Sequence, residues 1–131
     1  MPVKINLVLA DDHDRLRSSL SEFLNSCGGL QVVGTAANGN EAIDLCGQLN
    51  PDVVLMDIRM PGMDGIAATE TIHQRYPHIQ IIALTSGVRA DAEAAVAAGA
   101  SGYIFKSVSV YEIVDMIREI YAKNAAIDPL V

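Results

Sequence analysis

Five residues of the types that bind metal ions or phosphoryl groups follow short apolar segments of this chain: Asp11, Asp12, Asp57, Thr85 and Lys106. Carboxylates brought within about 4 Å of one another repel by roughly 4 kcal/mol per pair at an effective dielectric near 20. A hard divalent cation removes that repulsion, and oxygen ligands that leave room for water and a phosphoryl group suit Mg²⁺. Together with an ammonium and a hydroxyl, the carboxylates predict a magnesium-dependent phosphoryl-transfer site.

Asp57 is the predicted nucleophile of this site. It stands alone at the end of an apolar run, whereas Asp11 and Asp12 are adjacent and form a metal-binding pair. Aspartate carboxylates form acyl phosphates in several enzymes. Taken singly, Lys106 would be interpreted as a surface lysine and Thr85 as a turn hydroxyl, so the functional interpretation depends on the set.

The elements that must position these residues alternate along the chain. Short apolar, β-branched runs predict five strands, and apolar residues at helical spacing predict a helix after each strand. This alternation is typical of a parallel sheet covered on both faces, in which ligands bind beyond the carboxyl ends of the strands. The predicted strands cover residues 5–10, 30–36, 53–56, 79–84 and 103–105.

Some local features of the helices are also predicted. Asp14 is the expected N-cap of the first helix, and Asp64 that of the third. The fourth helix, predicted over 90–98, has an apolar face made almost entirely of alanine. Because alanine buries little area, we expect this helix to be the least firmly held.

Length, composition and charge exclude several classes of protein. The 131 residues form one domain, and a net charge of −7 with a pI near 4.7 would repel a polyphosphate backbone, so no direct nucleic-acid binding is expected. Cys27 and Cys46 have no CxxC spacing, which disfavours a disulfide framework or zinc site. No apolar run approaches the roughly 18 residues that span a membrane, and we expect a soluble, cytoplasmic protein.

Four segments taken together resemble the receiver domain of two-component response regulators along essentially the whole chain. They are the sequences at 9–13 (LADDH), 57–65 (DIRMPGMDG), 85–86 (TS) and 99–106 (GASGYIFK). The resemblance implies an α/β fold of the flavodoxin-like (βα)5 type, a doubly wound parallel five-stranded sheet with strand order 2-1-3-4-5.

The resemblance also implies roles for the residues of the site. Asp57 corresponds to the phosphoacceptor, which receives its phosphoryl group from a sensor histidine kinase. Asp11 and Asp12 correspond, with Asp57, to the carboxylate ligands of Mg²⁺, and Arg59 would contribute its backbone carbonyl. Lys106 corresponds to the lysine that pairs with the acyl phosphate.

A conformational switch and a subfamily are implied as well. Thr85 corresponds to the hydroxyl that follows the phosphoryl group, and Tyr103 lies at the position of an aromatic ring that changes rotamer with it. The sequence at 11–13 (DDH), and serine instead of proline after Lys106, resemble receivers that precede a LuxR-type helix-turn-helix domain, as in nitrate-response and nodulation regulators.

We therefore expect a receiver domain over residues 1–123 and a tail or linker over 124–131. DNA would be bound through a C-terminal helix-turn-helix domain that is absent from this chain, and transcription would be regulated through it. Homologous receivers commonly pair, so a homodimer is a weaker expectation. The alternative is a stand-alone receiver that acts only through protein partners.

Two rival functions are judged by the same site residues. An aspartyl-phosphate phosphatase of the haloacid dehalogenase type also uses Mg²⁺, but its general acid lies two residues after the nucleophile, where this chain has Arg59. We therefore expect phosphoacceptor chemistry rather than enzymatic turnover. A phosphorylation-independent interaction module is the other rival, and the intact acidic pair, Thr85 and Lys106 count against it.

Overall fold

The computed structural model describes residues 4–126, which form five strands alternating with five helices. The strands are β1 (Ile5–Ala10), β2 (Leu30–Ala36), β3 (Val53–Asp57), β4 (Gln80–Thr85) and β5 (Gly102–Phe105). The helices are α1 (Asp14–Ser26), α2 (Gly39–Leu49), α3 (Gly65–Arg75), α4 (Arg89–Ala97) and α5 (Val110–Ala126). The predicted alternation is confirmed, and the first two strands have the predicted bounds.

The five strands form one parallel sheet in the order β2-β1-β3-β4-β5. Because strand order reverses between β1 and β3, the loops after these two strands diverge to opposite faces and leave a crevice at their carboxyl ends. Ala10 of β1 is paired with Met56 of β3, so that Asp11 and Asp57 follow at the same level. The predicted flavodoxin-like fold and strand order are confirmed.

Alternate residues of the strands supply two apolar cores, one on each face of the sheet. Leu7, Leu9 and Leu55 pack against α1 and α5, whereas Val8 and Met56 pack on the side of α2, α3 and α4. All five are fully buried. Burying each such side chain contributes about 1.5–3 kcal/mol, so the central strands are firmly held and give the polar strand ends fixed positions.

The helix N-termini show where local prediction succeeded and failed. The Asp64 side chain accepts a hydrogen bond from the Ala67 N–H and caps α3, as predicted. The predicted cap of α1 was wrong: the N-cap is His13, and Asp14 is the first helical residue. As a first-turn residue, Asp14 pairs with Arg17 one turn later, at 2.7 Å.

The last two helices bear on the predictions made for the C-terminal part. In α4 only Ala92 and Ala95 are buried, so this helix has little apolar area against the sheet. Helix α5 continues through Ala126, and residues 124–126, which were assigned to the tail, are helical. Residues 127–131 of the predicted tail lie outside the described residues. Within residues 4–126, no helix is both long and apolar enough to cross a membrane.

Candidate functional site

The sheet brings the polar residues after β1 and β3 together at one point. Side-chain ligand atoms of Asp11, Asp12, His13 and Asp57 all lie within 4.8 Å of one another. Asp11 and Asp57 are almost fully buried, at 1% and 2% exposure, whereas Asp12 is partly exposed. The apolar strands therefore place two carboxylates beneath the surface and a third at its edge, which concentrates negative charge in a small volume.

Asp57 is held in a fixed orientation by two hydrogen bonds. The Lys106 ammonium donates to Asp57 Oδ2 at 2.7 Å, and the Arg59 backbone N–H donates to Oδ1 at 3.1 Å. Burial raises the pKa of the Asp57 carboxyl above its ordinary value of 3.8, and it outweighs the opposing effect of the Lys106 hydrogen bond and charge. The nearby Asp11 carboxylate also raises this pKa. The Asp57 carboxylate is thus removed from water, and its hydrogen bonds offset only part of the cost of burying its charge.

The acidic pair has one buried oxygen atom without a hydrogen-bond partner among the described residues. Asp11 Oδ1 accepts from the His13 backbone N–H at 2.8 Å, but the buried Asp12 Oδ1 has no hydrogen-bond partner among the described residues. The His13 Nδ1 atom lies 3.2 Å from Asp12 Oδ1 without hydrogen-bond geometry. Since a buried, unpaired carboxylate oxygen is costly, this atom favours a cation beside it.

The donor set fits Mg²⁺. Three carboxylates offer hard oxygen ligands, and the partial exposure of Asp12 leaves one side open to water or a phosphoryl group. His13 lies at the surface of this pocket, and its ring is 69% exposed. Its contact with both neighbouring carboxylates was not predicted, because an exposed histidine beside an acidic pair has no sequence pattern that fixes its rotamer.

Thr85 and Lys106 follow the neighbouring strands β4 and β5. The Lys106 backbone N–H donates to the Thr85 carbonyl at 2.6 Å, which ties the two strand ends together. The Thr85 side chain is buried, and its hydroxyl accepts a hydrogen bond from the Gly87 N–H at 3.2 Å. The Thr85 hydroxyl is therefore hydrogen-bonded within the turn after β4, whereas the Lys106 ammonium contacts Asp57.

Tyr103 and the Arg59 side chain lie away from the carboxylates. Tyr103 is 43% exposed, and its ring packs against Phe105 with 5.6 Å between ring centroids. The Arg59 guanidinium forms an ion pair with Asp91 in the first turn of α4. This pair was not predicted, because charges 32 residues apart carry no periodic or motif signal.

Comparisons with known proteins agree with this geometry. The model of the family "Response regulator receiver domain" matches residues 7–118. The response regulator GacA of Pseudomonas viridiflava is 37% identical over 126 residues, which are 95% of this chain and 59% of that protein. This chain thus spans about three fifths of the curated relatives that it matches.

Two solved structures share the fold closely. A LuxR-family two-component response regulator from Aurantimonas is 36% identical with a TM-score of 0.87, over 92% of this chain and 86% of that one. The receiver domain of a putative response regulator NarL from Mycobacterium tuberculosis is 31% identical with a TM-score of 0.86, over 92% and 98%. The topology, the acidic crevice and these matches agree, and the chain belongs to the response regulator receiver domain family.

Proposed function

We propose that this chain is a phosphorylation-controlled signalling domain whose phosphoacceptor is Asp57. The observation that carries the proposal is the position of the Asp57 carboxylate, which is 97% buried, 2.7 Å from a lysine ammonium and within 4.8 Å of two further carboxylates. A buried nucleophile with a cation on one side and metal ligands on the other matches the requirements of phosphoryl transfer.

The transfer would proceed by attack of one Asp57 carboxylate oxygen on the phosphorus of a phosphohistidine. A P–O bond forms as the P–N bond breaks, and the imidazole leaves with the bonding electron pair. The two existing hydrogen bonds to Asp57 orient the carboxylate for this attack, because the Arg59 N–H and the Lys106 ammonium fix both oxygens. Holding the nucleophile in place removes much of the entropic cost of the reaction.

Mg²⁺ would be held by Asp11, Asp12 and Asp57, with the Arg59 backbone carbonyl as a further ligand. When bound, the ion neutralises charge on the transferring phosphoryl oxygens. The unpaired Asp12 Oδ1 supports this assignment, because it is the one buried side-chain oxygen of the pocket that has no partner among the described residues. Lys106 would keep its contact with the pocket and neutralise charge on the acyl phosphate.

The same site would act as a switch through Thr85 and Tyr103. Thr85 is buried at the end of β4, and its hydroxyl would exchange the Gly87 N–H for a phosphoryl oxygen. That movement vacates space next to β5, and the exposed Tyr103 ring would turn inward to fill it. The surface formed by α4, β5 and α5 then changes shape and changes what it binds.

The partners follow from this chemistry. A sensor histidine kinase would donate the phosphoryl group. The relatives that this chain matches are longer, and the LuxR-family likeness favours regulation of transcription through a helix-turn-helix DNA-binding domain that is not in this chain. Pairing of two copies after phosphorylation would bring two such domains together. Family membership favours this function over an aspartyl-phosphate phosphatase.

The proposal is tested by intact-mass measurement after incubation with acetyl phosphate and Mg²⁺. We expect one added phosphoryl group in the wild type and none in Asp57→Asn. Asp44→Asn is the matched control, because Asp44 is an exposed residue of α2 and the substitution makes the same change of charge. Wild-type protein without added mass, or equal labelling of Asp57→Asn, would contradict the proposal.

A further inference from the structure

An ion pair joins the loop after β3 to helix α4. The Arg59 guanidinium contacts the Asp91 carboxylate through two nitrogens, with Nε at 3.1 Å from Oδ2 and Nη2 at 3.0 Å from the same oxygen and 3.3 Å from Oδ1. Asp91 lies in the first turn of α4. This two-nitrogen contact is the geometry by which arginine recognises carboxylates and phosphates.

The two partners differ strongly in exposure. The Arg59 side chain is 70% exposed, whereas that of Asp91 is 15% exposed. Asp91 therefore depends on the pair for its compensation, while Arg59 remains well solvated and free to exchange partners. Because the guanidinium is mostly in water, its attraction to Asp91 is screened, and an incoming anion can compete for it.

Arg59 also contacts the phosphoacceptor through its main chain. Its backbone N–H donates to Asp57 Oδ1, so one residue contacts Asp57 with its main chain and α4 with its side chain. The Arg59 side chain lines a groove of about 370 Å³, which gives it space to change rotamer. The groove is lined by Ile58, Arg59, Met60, Asp64, Ile66 and Asp91.

We propose that Asp91 is a positioning residue that withholds the Arg59 guanidinium from the phosphoryl site. This inference rests on the proposed function of Asp57. A phosphoryl group on Asp57 adds negative charge beside the Arg59 backbone, and it then competes with Asp91 for the guanidinium. Phosphorylation of Asp57 therefore weakens the Arg59–Asp91 pair, and the pair in turn disfavours a phosphoryl group on Asp57.

The competition has a consequence for α4. This helix has no side-chain hydrogen bond at its N-cap, Val88, and buries only Ala92 and Ala95. The Arg59–Asp91 pair is the contact that joins its first turn to the loop after β3. Transfer of Arg59 to the phosphoryl group would release that turn, which links the state of Asp57 directly to α4, in addition to any movement of Thr85.

The test is the affinity for beryllofluoride, a phosphoryl analogue, measured by ¹⁹F NMR at saturating Mg²⁺. Asp91→Asn should tighten binding about two- to fivefold, the range expected for release of an exposed ion pair. Glu93→Gln is the matched control on the same helix, because it removes the same charge from a 73% exposed side chain and should not tighten binding. Asp91→Glu, which keeps the charge, should retain wild-type affinity.

A double-mutant cycle separates positioning from a general charge effect. In an Arg59→Ala background, Asp91→Asn should leave beryllofluoride affinity unchanged, and Arg59→Ala alone should weaken it. Equal tightening by Asp91→Asn in both backgrounds, or no tightening in the wild-type background, overturns the inference. If Asp91→Asn does not fold, unchanged or tighter binding by Arg59→Ala overturns it instead. A wild-type protein that binds no beryllofluoride contradicts the proposed function itself.

Discussion

Replacing Asp57 with asparagine should stabilise the folded domain at neutral pH without divalent metal. At an effective dielectric of about 20, each neighbouring carboxylate within 4.8 Å repels Asp57 by about 3 kcal/mol, and Lys106 at 2.7 Å attracts it by about 6 kcal/mol. The two neighbours nearly cancel the attraction, so the cost of burying the charge decides the sign. We expect Asp57→Asn to raise the free energy of unfolding by about 1–2 kcal/mol.

The pH dependence follows from the raised pKa of the Asp57 carboxyl. Below its ordinary pKa of 3.8, the group is protonated in both the folded and the unfolded chain, and its contribution to stability is fully present. That contribution is lost as the pH rises through the higher pKa of the folded state. The advantage of the asparagine variant should therefore be small in acid and complete at neutral pH.

Urea unfolding followed by circular dichroism in EDTA measures this effect, and Asp44→Asn on the exposed face of α2 is the control, with an expected change within about 0.5 kcal/mol. Added Mg²⁺ should stabilise the wild type more than Asp57→Asn, because a ligand that binds only the folded state adds to its stability. The reasoning would be refuted if Asp57→Asn were less stable than wild type at pH 7 in EDTA, or if its advantage grew in acid.

Three further predictions concern residues around the site and in the cores. Lys106→Met removes the cation beside Asp57 and so raises the pKa of that carboxyl further; the pH midpoint of acetyl phosphate labelling should move upward, and an unmoved midpoint would contradict the pairing. Gly65→Ala places a methyl group 2.7 Å from the Ile58 Cα and against the Asp57 carbonyl, and should cost about 2–3 kcal/mol in urea unfolding; a neutral effect would show that this approach is not tight. Burial raises the pKa of the Cys46 thiol to about 12, so a disulfide reagent should modify only the partly exposed Cys27 in native protein, and two reactive thiols would contradict it.

The strands were the most predictable part of this fold. β1 and β2 have the predicted bounds, and β3, β4 and β5 differ by one residue, because short runs rich in apolar, β-branched residues leave few alternatives. The polar residues that end these strands could be placed at one edge for the same reason. The strand order came from the family resemblance, since the apolar pattern alone is compatible with several orders.

Features that depend on side-chain rotamers and on competing partners could not be predicted. Asp14 has the residue type of an N-cap, but it is the first helical residue and pairs with Arg17. The Arg59–Asp91 pair joins two charges from distant parts of the chain, and only the tertiary structure determines that they meet. The helical state of residues 124–126 was not predicted, because the apolar stripe of α5 stops at Tyr121 while the backbone continues as helix.

The proposed function requires Asp57 to be the residue that receives the phosphoryl group. Borohydride reduction of protein treated with acetyl phosphate and Mg²⁺ converts an aspartyl phosphate to homoserine, and peptide mass spectrometry then identifies the position. We expect homoserine at residue 57 alone, and only when Mg²⁺ is present. Homoserine at residue 11 or 12, or phosphorylated protein that yields no homoserine at residue 57, would contradict it.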